Sequence, residues 1–132
     1  MTQQNLATAR KIVGLGALLI ALAIILGAFG AHGLKGKLPD SVLDVYEKSV
    51  LYHLTNSIGI TIIGVLLACE VISLKISKIL TWILFLGVLL FSGSLYIYST
   101  TGEKIFAMIT PLGGISFIIA WITLGAFCLK KR

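Results

Sequence analysis

Charge is scarce in this sequence. Only 12% of its 132 residues are Asp, Glu, Lys or Arg, against about 25% in an average soluble domain. Acidic residues are scarcer still, five against eleven basic ones, for a net charge of +6. In place of charge the chain carries 58% hydrophobic residues, and its mean hydropathy is +1.03. So little polar surface cannot clothe a water-soluble core of this size, which excludes a soluble globular enzyme. The hydrophobic excess excludes a disordered chain, and two cysteines are too few for a disulfide-stapled secreted domain. An integral membrane protein remains.

Other absences narrow the chemistry. No HExxH, GxSxG or Walker-type loop occurs. No two carboxylates fall within one apolar run, so acid–base catalysis in the bilayer lacks a couple, and the chain is expected not to be an enzyme and to need no cofactor. His32 and His53 lack a third ligand, so no metal site is expected. Cys69 and Cys128 lack metal-ligand spacing and read as small apolar fillers. The first apolar run contains no carboxylate, unlike the first helix of four-helix multidrug antiporters. The basic residues sit between apolar runs rather than in a patch interleaved with aromatics, so nucleic acid is not an expected partner.

What is present is four long apolar runs, at about residues 12–34, 50–72, 79–98 and 105–129. Each approaches or exceeds the roughly 20 residues a helix needs to cross about 30 Å of hydrocarbon. The runs are continuous, without the ten-residue alternation of barrel strands, and in lipid the backbone must satisfy its own hydrogen bonds. The pattern predicts an all-α integral membrane four-helix bundle with short loops, a single transmembrane domain over residues 1–132. The first run is too long for a signal-peptide core and reads as an uncleaved helix. After Pro39, the recurrence of Val42, Leu43, Tyr46, Val50 and Leu54 predicts helix leading directly into the second span.

Lys and Arg set the expected orientation. Seven (Arg10, Lys11, Lys75, Lys78, Lys130, Lys131, Arg132) fall on the side holding both termini and four (Lys35, Lys37, Lys48, Lys104) on the other. The positive-inside rule then places both termini in the cytoplasm. There both cysteines face a reducing compartment, and no disulfide is expected. Tyr46, Tyr52, Tyr96 and Tyr98 fall near the outer boundary and Trp82 at the inner one, which reads as an anchoring aromatic belt.

Four polar or small-residue constellations interrupt the spans. Gly27, Gly30 and Gly33 close the first span, with His32 among them. No strand precedes these glycines, so they read as helix-packing residues rather than a phosphate loop, and Gly14, Ala17 and Ala21 extend that small face upstream. In the second span Tyr46, Ser49, His53 and Asn56 recur at i, i+3, i+7 and i+10, one polar stripe that lipid would penalise and that should face the bundle interior. An imidazole within a span is a functional candidate by default; the plainer alternative is a buried histidine satisfied by a neighbouring hydroxyl or carbonyl. The third span holds Ser92, Gly93, Ser94 and Tyr96. The fourth holds Thr110, Pro111, Gly113 and Gly114, where Pro111 would kink the helix and the glycines allow close contact. His32, Ser49, His53, Asn56, Ser92, Tyr96 and Thr110 therefore form the candidate polar site, in the outer half of the bundle.

The residues GAFGAHGL at 27–34, YHL at 52–54, FSGSLY at 91–96 followed by Thr101-Gly102, and ITPLGG at 109–114 followed by Trp121 together resemble domain-of-unknown-function family 423, small bacterial inner-membrane proteins with a eukaryotic transmembrane relative. The likeness runs over nearly the whole chain. It implies a multi-pass protein of the plasma, or bacterial inner, membrane, and it carries no reaction with it. The functional expectation is a non-enzymatic membrane protein with a structural, envelope-integrity or partner-binding role, its partners being the lipid bilayer and a second copy of itself or another membrane protein. The alternative is a small-solute or ion transporter or channel acting as an oligomer through the polar site, since broken helices mark such sites.

Overall fold

The structure, a computed structural model, describes residues 2–130. Lys131 and Arg132, which the charge count used, lie outside the described residues. Four helices follow one another: α1 (Gln3–Leu34), α2 (Asp40–Ala68), α3 (Leu74–Thr101) and α4 (Lys104–Leu129), each long and apolar enough to cross a membrane. No strand occurs among the described residues. The protein is an integral membrane four-helix bundle.

The helices outrun the apolar runs because their ends are set by caps. Thr2 starts α1, accepting the Asn5 N–H at 3.1 Å, so the polar segment before residue 12 is helical too. Ser73 starts α3 in the same way. The helix foreseen after Pro39 is continuous with the second span. At its other end α2 stops at Ala68 although apolar residues continue to Ile72. Glu70 adopts φ 59°, the Glu70 N–H bonds to Leu67 O and the Val71 N–H to Leu66 O. This is a Schellman turn with glutamate in the position glycine usually takes. Gly102, at φ 75°, ends α3. Two helices are locally widened to π turns, α1 at Gly30–Leu34 and α3 at Val88–Gly93.

α2 and α3 are the more buried pair. α1 leans chiefly on α2 and α4 on α3. In α1, Ala9, Gly16, Ala23 and Gly30 recur every seven residues and are all buried. A methyl group added at Gly16 would meet Thr61 N at 2.8 Å and Ser57 O at 3.0 Å, and one at Gly64 would meet Val13 N at 3.0 Å and Ala9 O at 3.1 Å. The two backbones thus touch directly, as small residues permit in membranes. Gly14, Ala17 and Ala21, expected on this face, are exposed instead. Two residues' displacement turns a helix by about 200°, and the packed row is the one through Gly16. On the other side of the bundle, Gly113 of α4 abuts the Phe91 and Leu90 backbone in the α3 π turn, and Gly87 of α3 faces the Phe117 ring.

Burial is divided by chemistry. Toward the α2–α3 loop the interior is apolar, built from Ile60, Ile63, Leu67, Leu80, Leu84 and Phe117 among others. Toward the α1–α2 loop it is largely polar. The close crossing is testable. Gly16→Leu must push α1 off α2 and is expected to destabilise the protein by about 1–3 kcal/mol. Gly14→Leu, with nothing within 4 Å of its added carbon, should leave the detergent melting temperature unchanged.

Candidate functional site

The polar stripe of α2 turns inward. Tyr46, Ser49, His53 and Asn56 are all buried, at 2%, 0%, 2% and 3% exposure, and each is hydrogen-bonded. Lipid offers no partner at this depth, so the stripe must face other helices.

Ser49 donates to the backbone carbonyl of Ser92 at 2.7 Å, inside the α3 π turn. A π turn holds one residue more than the α-helical repeat and loosens the ladder around its carbonyls, which opens one to an outside donor. One turn deeper, His53 Nδ1 lies 3.1 Å from Tyr96 Oη. Tyr96 is not opposite His53 along the antiparallel pair. Helical side chains lean toward the N-terminus of their own helix, and from position 96 that direction brings the phenol down to the imidazole. Tyr46 packs against Tyr96 with ring centroids 5.1 Å apart and the planes tilted by 57°, and donates its hydroxyl to Leu26 O of α1 at 2.8 Å. Gly30 makes room for that ring, since a side-chain carbon there would overlap it. Ser49, His53, Ser92 and Tyr96 therefore form one cluster at the α2–α3 contact, which Tyr46 ties to α1.

Asn56 lies beyond this cluster. Its amide donates to Tyr52 O at 2.9 Å and its carbonyl accepts from Trp121 Nε1 at 3.0 Å, a link to α4. The Trp121 ring covers Gly59. Thr110 of α4 pairs with Ser94 of α3 at 2.8 Å, a second separate link. His32 does not join. It is exposed in the terminal π turn of α1, because the buried row of that helix ends at Gly30. The expectation that both histidines converge is therefore corrected.

The small residues also divide. A side-chain carbon added at Gly27 would meet Val50 at 3.1 Å and one at Gly114 the Phe91 ring at 3.6 Å, beside the tighter sites at Gly30 and Gly113. Gly33 meets only the Phe29 ring of its own helix, and Gly93 only Val88 O of its own turn, so neither makes a helix–helix contact. Pro111 is exposed and α4 continues through it as helix. Across the interface from it, α3 carries its π turn. Three residues of weight escaped the site expected from sequence: Tyr46, Ser94 and Trp121. Tyr46 shares the stripe of His53, and Ser94 sits in the FSGSLY segment. No local pattern connects Trp121 with Asn56, 65 positions earlier. Tyr46, read from sequence as a belt residue, directs its hydroxyl into the bundle, and Trp121 does the same with its indole N–H.

Three buried side-chain atoms in this half have no protein partner: His53 Nε2, Ser92 Oγ and Ser99 Oγ. Three cavities of about 350–560 Å³ are lined by other residues, the smallest of them by Asp44, Glu47, Lys48 and Leu51 at the start of α2. One of about 560 Å³ runs between α2 and α4 beside Tyr52, Asn56 and Trp121, and one of about 370 Å³ lies between α1 and α3 near the α2–α3 loop. No group of three or more His, Cys, Asp or Glu able to hold a metal occurs among the described residues. Cys69 and Cys128 are free and exposed at helix ends, rather than filling the interior.

Such an arrangement defines a multi-pass α-helical membrane protein whose helices are joined by polar contacts inside the bundle. A family model described as protein of unknown function (DUF423) matches residues 26–114, a stretch containing the whole His53 cluster. The UPF0382 membrane protein YwdK of Bacillus subtilis (strain 168) is 45% identical over 116 residues, 88% of this chain and 94% of the relative. The UPF0382 membrane protein SH2409 of Staphylococcus haemolyticus (strain JCSC1435) is 46% identical over 110 residues, 83% of this chain and 88% of the relative. No solved structure matches the chain. The chain belongs to the DUF423 family of membrane proteins, as its own sequence motifs suggested.

The cluster predicts an order among substitutions at His53. Leucine loses one interhelical hydrogen bond, which costs about 1 kcal/mol. Aspartate adds an unpaired carboxylate within the span, about 2.5–3.5 kcal/mol. His53→Leu should therefore express and melt closer to the parent than His53→Asp, by membrane yield and detergent melting. Equal behaviour of the two would mean that His53 is not in a dry interior.

Proposed function

We propose that this chain is a non-enzymatic plasma-membrane protein that works as a rigid embedded unit, supporting the envelope or docking a membrane partner, either a second copy or another protein. One observation carries the reading: the polar groups within the spans bond to one another across helices, at Tyr46–Leu26, Ser49–Ser92, His53–Tyr96, Asn56–Trp121 and Ser94–Thr110. Groups engaged in holding helices together are not arranged to bind and release a solute. Transport needs a solvated path past His53, yet the three cavities of about 350–560 Å³ are lined by other residues, and α4 keeps its helix through Pro111. No pair of carboxylates within an apolar run, and no nucleophile with a base, supports an enzymatic alternative.

Flux across proteoliposomes tests this. Vesicles holding the protein should leak protons, sodium, potassium and small neutral solutes no faster than empty ones, and His53→Ala should change nothing. A flux that the parent supports and His53→Ala abolishes would replace this reading with transport.

The proposed orientation has both termini in the cytoplasm, on the basic-residue asymmetry. Cys69 follows α2 and Cys128 lies in the last turn of α4, so both belong to the end that also carries the α1 N-terminus. In intact cells a membrane-impermeant maleimide should label neither, and permeabilisation should expose both. Labelling of either thiol in intact cells would reverse the topology.

A further inference from the structure

The end of the bundle that holds the α2–α3 loop has a groove that the polar cluster does not use. α1 and α3 run parallel and touch only lightly, and between them lies a cavity of about 370 Å³ lined by Lys11, Leu15, Lys78, Thr81, Trp82 and Phe85 among others. Its chemistry is graded along the helices. Lys11 and Lys78 stand at the end nearer the helix starts, and Leu15 and Phe85 lie one to two turns further along. Seven residues from Lys78 to Phe85 span about 10 Å of helix, so a cationic mouth gives way to an apolar floor over that distance. Trp82 packs edge-on against Phe85, with centroids 5.8 Å apart, and is 62% exposed. Thr81 is 8% exposed and its Oγ1 has no partner in the protein.

We propose that this groove holds an anionic phospholipid, its headgroup phosphate between Lys11 and Lys78 and its first acyl carbons against Leu15, Trp82 and Phe85. Charge complementarity selects the occupant. Lys11 and Lys78 bring two basic side chains to the groove, and Arg10 and Lys75 lie one and three residues from them in sequence. A zwitterionic lipid matches the floor equally but cancels its own phosphate charge at the mouth. Basic pockets between spans recognise lipid headgroups on these principles. The site is independent of the role proposed above and of which face of the membrane it occupies.

Bromine quenching of Trp82 reads the occupant directly. The full chain is reconstituted in equimolar phosphatidylcholine and phosphatidylglycerol, with bromines on the acyl chains of one lipid or the other. The Trp82 signal is the difference between the parent and Trp82→Phe. Brominated phosphatidylglycerol should quench it several-fold more than brominated phosphatidylcholine. A surface lysine contributes about 1 kcal/mol toward anionic lipid, about fivefold. Lys11→Gln with Lys78→Gln should therefore abolish the preference, Lys11→Arg with Lys78→Arg should retain it, and Lys130→Gln, a basic residue of the same end outside the groove, should leave it intact. Equal quenching by the two lipids would overturn the proposal, as would a preference that survives the double glutamine substitution or falls equally with Lys130→Gln. If neither brominated lipid quenches Trp82, protein rather than lipid occupies the groove, and the proposal is overturned as well.

Discussion

The bundle depends on one requirement: a row of polar side chains on α2 must find hydrogen-bond partners where no water reaches. A polar group left alone in hydrocarbon costs several kcal/mol. Tyr46, Ser49, His53 and Asn56 are sequential on one helix face, so their partners must come from α1, α3 and α4 in turn. They do: Leu26 O on α1, Ser92 O and Tyr96 on α3, Trp121 on α4. One stripe thereby fixes the position of three neighbouring helices. Dispersion between apolar side chains distinguishes one rotation of a membrane helix from another only weakly, because lipid tails offer similar contacts. Directional bonds distinguish them sharply.

The irregular backbone follows from the same demand. The π turn at Val88–Gly93 presents the Ser92 carbonyl to Ser49, and the same stretch brings the Phe91 and Leu90 backbone against Gly113. The terminal π turn of α1 starts at Gly30, where the Tyr46 ring sits. Each departure from α geometry thus coincides with a place where α2 or α4 comes close. π turns commonly mark functional positions; here both can be derived from packing and bonding alone.

The sequence made the spans and the α2 stripe legible because both are periodic signals on one helix. Apolar runs report hydrocarbon depth, and spacing of 3, 4 and 7 reports a face. The helix ends were less legible: Thr2, Ser73 and the Glu70 turn set them by capping geometry that hydropathy does not register. Partners across helices were hidden for a different reason. Tyr96 reaches His53 by the lean of its side chain, and Trp121 reaches Asn56 from 65 residues away. Both depend on how helices cross, which no local pattern encodes. Gly14 and Gly16 make the point most simply, since either could have faced α2. The choice fell to Gly16 because the row Ala9, Gly16, Ala23 and Gly30 meets the small or polar residues Gly64, Thr61 and Ser57, and then Tyr46.

The division of the interior into a polar and an apolar half bears on what such a small chain can do. Bonds joining α2 to all three other helices at one end resist separation there, while the other end holds mainly by interdigitated Ile, Leu and Phe. The groove between α1 and α3 lies at that second end, where no hydrogen bond among the described residues joins the pair. A molecule lodged there would bridge two helices that the protein itself joins only weakly. Its phosphate would also neutralise the lysines that oppose their closer approach. The polar end thus supplies fixed geometry, and the basic end supplies the place where an outside molecule can change how the helices sit. A site able to respond to the membrane is therefore to be sought at the lysine-rich groove rather than at His53, although His53 is the more conspicuous residue in the sequence.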